Sequence, residues 1–162
     1  AVAEADFVVL AGPTGWDKSV DDHVPVLAEC RARGLKLVCA NPDLEVIRGG
    51  ARVICAGSLA LRYAELGGEV RLIGKPDPAV YARVFRLLGI SDRSRILAVG
   101  DALRTDIAGA ASVGVPSAWV LGGIHGEELG MAPGGLPNAA LVARRAAEAG
   151  LAPVAALPSF SW

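Results

Sequence analysis

The chain has 162 residues, enough for one good core or for one domain plus part of a second, and its net charge of -1 gives no overall pull toward nucleic acid or anionic lipid. Hydrophobic residues make up 52% of it, yet no apolar run approaches the ~18 residues of a membrane span, so membranes drop out with nucleic acids and small molecules become the default partners. Cys30, Cys39 and Cys55 are odd in number and show no C-x-x-C spacing, which argues against a disulfide framework or a zinc site and for a reducing, cytoplasmic compartment.

In chain order, AVAEADFVVL carries no basic region ahead of its apolar stretch and reads as the start of a strand over 7–10, not as a secretory signal. HVPVLAECRARG follows as a helix that stops at Gly34, and LKLVCA, 35–40, as a buried strand ended by Asn41-Pro42-Asp43. RVICAG is a shorter apolar run, and SLALRYAELGG is a helix with Ser58 as its cap. VRLIG leads into Lys75-Pro76-Asp77-Pro78, whose prolines suit a loop and a first helical turn. The helix AVYARVFRLLG then aligns Val80, Val84, Leu87 and Leu88 on one face. ILAVG, TDIAGAASVG, VPSAWVLGG, NAALVARRAAEAG and LAPVAAL keep up the alternation of strand and helix. Such a rhythm predicts right-handed crossovers and a parallel sheet.

In an open parallel sheet, ligands bind beyond the carboxyl ends of the strands. Three of those ends are polar here: Asn41/Asp43, Lys75 and Asp101. Lys75 follows VRLIG and Asp101 follows ILAVG, so two neighbouring strands are expected to deliver a cation and a carboxylate to one crevice, with Gly74 and Gly100 leaving the backbone open at its rim. Asp106 falls in the first turn of the next helix, where a carboxylate is favoured. This set suits a phosphorylated ligand with a hard cation: Lys75 on phosphoryl oxygens, Asp101 as an oxygen ligand to Mg²⁺, and Asp106 steadying the shell behind it. Plainer duties stand beside these, since Thr105-Asp106 is also a capping signal, Asn41-Pro42-Asp43 also a turn, and His125 an ordinary exposed histidine.

G-K-P-D-P at 74–78 and G-D-A-L-R-T-D-I-A-G-A at 100–110 resemble the third and fourth motifs of the haloacid dehalogenase-like hydrolases. Their separation, with N-P-D at 41–43, is similar to the capped class IIA branch, the sugar-phosphate and 4-nitrophenyl phosphatase-like group. The resemblance implies an α/β fold with a parallel Rossmann-like sheet, residues 1–50 being the trailing part of a cap domain and 51–162 the C-terminal part of the catalytic core. It also implies a Mg²⁺-dependent phosphatase that acts on a small phosphate ester through an aspartyl-phosphate. Lys75, Asp101 and Asp106 would be its catalytic residues, Asp101 and Asp106 its metal ligands, and Asn41, Asp43 and Lys75 its substrate contacts.

In that family the nucleophile and the acid/base belong to a D-x-D-G motif. This sequence contains no D-x-D, and its nearest approach, Asp43-Leu44-Glu45, lacks the glycine. The nucleophile is therefore expected upstream, in a segment not present here, and the sheet edge so uncovered is expected to drive self-association into a homo-oligomer. Ala102 is a smaller departure, standing where relatives carry a polar side chain. The contrasting expectation is a catalytically inactive phosphate-binding or regulatory module.

Overall fold

The apolar tetrad FVVL forms the first strand, β1 (Phe7–Leu10), in a computed structural model that describes residues 2–132 and 135–160. The helix α1 (Val24–Ala32) carries a proline in its first turn, where the missing N–H has no partner to lose. It returns the chain to β2 (Lys36–Cys39), parallel to β1. The strands β3 (Glu45–Arg48) and β4 (Ala51–Ile54) make an antiparallel hairpin. The helix α2 (Ala56–Glu65) and β5 (Val70–Leu72) then complete a parallel sheet in the order β1-β2-β5. Alternate residues of β2, Leu37 and Cys39, are fully buried against Leu27 and Cys30 of α1 and Ala56, Ala60 and Tyr63 of α2. The wholly buried Tyr63 donates its hydroxyl to the Leu35 carbonyl at 2.5 Å, which removes the cost of a stranded phenol.

The hairpin is where the structure departs from the sequence reading, which takes RVICAG as a single short run. Gly49 and Gly50 have φ of 58° and 79°, both positive, as a two-residue hairpin turn of the I′ kind demands. The division expected at residue 50 falls on this turn, between two paired strands. The chain divides into two compact units, Ala1–Gly74 and Lys75–Trp162. Ser58 is not a cap either: α2 starts after Cys55, and the Ser58 hydroxyl lies in its first turn, donating to the Leu44 carbonyl at 2.7 Å.

The second unit opens with α3 (Pro78–Leu88), capped by the Asp77 carboxylate, which accepts the Ala79 N–H at 2.8 Å. Next come β6 (Ala98–Gly100), a π-helical turn over Leu103–Ile107 that runs into α4 (Ala108–Ser112), and β7 (Ser117–Val120). The helix α5 (Ala139–Glu148), capped by Asn138, and β8 (Ala155–Leu157) end the described elements. The strands form a second parallel sheet in the order β6-β7-β8. The parallel sheet read from the sequence is thus two sheets of three strands each, with β5 at an edge of one and β6 at an edge of the other.

Two clusters hold this unit together. Trp119, fully buried, packs with Leu103, Ile107, Leu121, Leu129 and Ala146, while Ala110, Val113 and Val115 receive Tyr81 and Phe85 of α3. The face expected to be inward, with Val84, Leu87 and Leu88, is exposed, Leu87 to 75%. Two apolar stripes compete on this helix, and the aromatic pair at i, i+4 wins because its rings cover more area. Among the described residues, no helix is long and apolar enough to cross a membrane.

Candidate active site

The strand β6 ends at Gly100, and the chain turns through Asp101 and Ala102 into the π-helical turn. Asp106 folds back on that turn: its Oδ2 accepts the Ala102 N–H at 3.1 Å, and its own N–H donates to the Ala102 carbonyl at 2.9 Å. The Asp106 side chain thus reaches back to the first N–H of the turn, as one half of a capping box does, while Ala102 at the cap position contributes no side chain of its own. The other oxygen, Oδ1, accepts from Lys75 Nζ at 2.5 Å. Asp106 is the buried member, its side chain 14% exposed against 44% for Lys75, so the ammonium keeps access to solvent and to ligands. Gly100 makes room for this, because a Cβ there would overlap the Asp106 carboxyl group. Tyr81 lies alongside, its hydroxyl 3.4 Å from the Asp106 carbonyl, and burial, with the Asp106 charge adding, pushes the phenol up.

Asp101 is held from the loop that follows β7. Its Oδ2 accepts the Ile124 N–H at 2.9 Å, and its main-chain carbonyl accepts the indole N–H of Trp119 at 3.0 Å. A Cβ on Gly123 would stand 2.6 Å from Asp101 Cγ, so the carboxylate lies directly on the glycine backbone. A crevice of about 380 Å³ opens here, lined by Gly100, Asp101, Gly122, Gly123 and Phe160 among others. One residue beyond Ile124, His125 Nε2 lies 3.2 Å from the Leu103 nitrogen and accepts its N–H. His125 Nδ1 meets Glu128 Oε1, and Arg145 of α5 meets Glu128 Oε2. Burial pushes the Glu128 carboxyl up, but the hydrogen bonds from His125 and Arg145 outweigh it and hold the group below the ordinary carboxylate range. The sequence reading leaves His125 as a surface residue; the three-residue spacing to Glu128 is the trace it contains of this cluster.

Of the three expected catalytic residues, all in the second unit, Lys75 and Asp106 meet directly: the lysine reaches Asp106, and through it Ala102, the residue after Asp101. Asn41 and Asp43 belong to the first unit. There Asn41 Oδ1 accepts the Asp43 N–H at 3.2 Å and the Asp43 carbonyl accepts the Gly57 N–H at 3.0 Å, an Asx turn that ties the end of β2 to the start of α2.

Asp101 itself offers hard carboxylate oxygens, and no group of three His, Cys, Asp or Glu that could hold a metal occurs among the described residues. That set fits Mg²⁺, which binds through one or two carboxylates and keeps several waters. Both Asp106 oxygens are engaged by Lys75 and Ala102, whereas Asp101 commits Oδ2 to one backbone N–H. Asp101 is accordingly the carboxylate suited to touch a cation, and Asp106 the one suited to orient the lysine.

Residues 72–151 match a family model described as HAD-hydrolase-like. The chain is 27% identical over 121 residues to the acid sugar phosphatase of Staphylococcus aureus strain USA300, covering 74% of this chain and 45% of that protein. A haloacid dehalogenase-like family hydrolase from Brucella suis 1330 superposes with a TM-score of 0.74 at 34% identity, covering 98% of this chain and 57% of that one. The p-nitrophenyl phosphatase of Archaeoglobus fulgidus shares the fold at 20% identity and a TM-score of 0.65, covering 98% of this chain and 55% of that one. The chain thus spans about half the length of the proteins it matches. On the matches to the family model and to the Brucella suis hydrolase, the chain belongs to the haloacid dehalogenase-like hydrolases.

Proposed function

We propose that this chain supplies the lysine and acidic half of a Mg²⁺-dependent phosphatase site of class IIA type, acting on a small phosphorylated metabolite in the cytoplasm. The observation that carries it is the Lys75 Nζ to Asp106 Oδ1 contact of 2.5 Å, made by a carboxylate whose other oxygen takes the N–H of Ala102, the residue after Asp101. The ammonium, held by Asp106 yet open to solvent, attracts the phosphoryl oxygens. Asp101 holds Mg²⁺, with Asp106 behind it, and the cation supplies neutralisation of phosphoryl charge when bound. The nucleophile would come from a D-x-D-G segment, absent from this sequence, on which the aspartyl-phosphate forms. In this reading residues 1–50 descend from a cap, whose Asn41 and Asp43 face the substrate. The three free, buried cysteines accord with a reducing compartment. The missing D-x-D favours one competing reading, a phosphate-binding module without turnover.

Titration of the chain with Mg²⁺, followed by amide NMR, should move the Asp101, Ala102 and Ile124 signals saturably; Asp101→Asn should abolish the response, and Lys75→Met should abolish that to inorganic phosphate. Joined to a D-x-D-G-bearing first half of the family fold, the chain should release phosphate from 4-nitrophenyl phosphate. Ion and phosphate binding without turnover by the joined, folded protein would select the binding module. An unresponsive Asp101 at millimolar Mg²⁺ would end both readings.

A further inference from the structure

The loop after β7 grips the Asp101 turn at two points. Ile124 donates its N–H to the Asp101 carboxylate, and the next residue, His125, takes the Leu103 N–H on Nε2. Leu103 begins the π-helical turn, so this N–H is one of the unpaired donors that a helix start leaves behind. A main-chain N–H can only donate, which makes Nε2 the lone-pair nitrogen and puts the ring proton on Nδ1, facing Glu128 Oε1. Glu128 is itself fixed by Arg145, which also donates to Glu148 at 3.0 Å along α5. The ring is steered sideways by Trp119, edge to face at 5.4 Å and 81°, the same side chain whose indole N–H holds the Asp101 carbonyl.

We infer that His125 is a positioning residue for Asp101: as the Nδ1–H tautomer, set by the Glu128–Arg145 pair, it clamps the Leu103 N–H and so fixes the turn that aims the Asp101 carboxylate. The inference rests on the reading of Asp101 as the Mg²⁺ ligand. Outer partners that orient a ligand commonly change metal affinity by ~10- to 100-fold when removed. The relay is reachable from solvent through a cleft of about 450 Å³ lined by Arg104, His125, Arg145 and Glu148 among others.

Two substitutions separate the acceptor from the ring. His125→Phe keeps the shape against Trp119 but has no acceptor, whereas the Gln amide oxygen in His125→Gln stands near the place of Nε2. Mg²⁺ should bind ~10-fold more weakly to His125→Phe, with the Leu103 amide exchanging faster, while His125→Gln should stay within about threefold of wild type. The ring ¹⁵N shifts of the unmodified protein should show an unprotonated Nε2 and a protonated Nδ1, and Glu128→Ala should mix the two tautomers. A wild-type proton on Nε2 overturns the inference without any variant. Unchanged Mg²⁺ affinity in a folded His125→Phe protein overturns it while leaving the proposed function intact, and failure of the wild type to bind Mg²⁺ removes both.

Discussion

Gly100 and Gly123 carry no functional group, yet they decide where two carboxylates lie, since a Cβ at either would take the space of the Asp106 or the Asp101 side chain. Gly123→Ala is expected to push the Asp101 carboxylate off the Ile124 N–H, to weaken Mg²⁺ binding ~10-fold and to destabilise the fold by about 1–3 kcal/mol through overpacking. Calorimetric Mg²⁺ titration and thermal unfolding measure the two effects; wild-type Mg²⁺ affinity in the alanine variant would contradict the placement of Asp101. Lys75, Asp101 and Asp106 are legible in the sequence because each lies in a short window where strand, turn and helix start impose the spacing. Which acid meets the lysine is not, because side-chain reach decides it: the partner is Asp106, already turned back on Ala102. His125 is less legible still. Its bond to Leu103 spans 22 positions and the Arg145–Glu128 contact 17, so only folding brings the four residues together.

Helix α3 shows how an element can be recognised and yet turned the wrong way. Its start at Asp77-Pro78 and its extent follow from local chemistry, cap and proline, but the buried stripe depends on what lies opposite, here the small and branched Ala110, Val113 and Val115. Phe85→Ala should therefore cost about 2 kcal/mol, less than for a fully buried ring, whereas Leu87→Ser should stay within about 0.5 kcal/mol of wild type. Denaturant unfolding of both variants tests the assignment, and equal losses would refute it. The β3–β4 hairpin was hidden for a related reason. Its signal is Gly49-Gly50 between EVIR and ARVI, and alternation across strands of four residues is too brief to stand apart from a single apolar run.

At the scale of the molecule, the alternation of strand and helix reveals parallel pairing but not how many sheets result, since both outcomes bury the same residue types. Each three-stranded sheet leaves two edges, β1 and β5 in one, β6 and β8 in the other. Apolar side chains stand exposed on the first strand of each, Phe7 and Val9 on β1 and Val99 on β6. Parallel sheets are normally covered on both faces, and open edges invite pairing with another chain. The isolated chain should accordingly self-associate with rising concentration, as sedimentation velocity would register. A compact monomer at the highest soluble concentration would rule this out.

Trp119 fills the centre of the second unit and, through its indole N–H, holds the main chain of Asp101. Packing and chemistry thus share one side chain. Engineering that swaps this ring for an aliphatic residue of similar volume, however well it restores the interior, would release the Asp101 carbonyl and the edge of His125 together. Thermostability and ion handling should therefore trade against each other at this position instead of improving side by side.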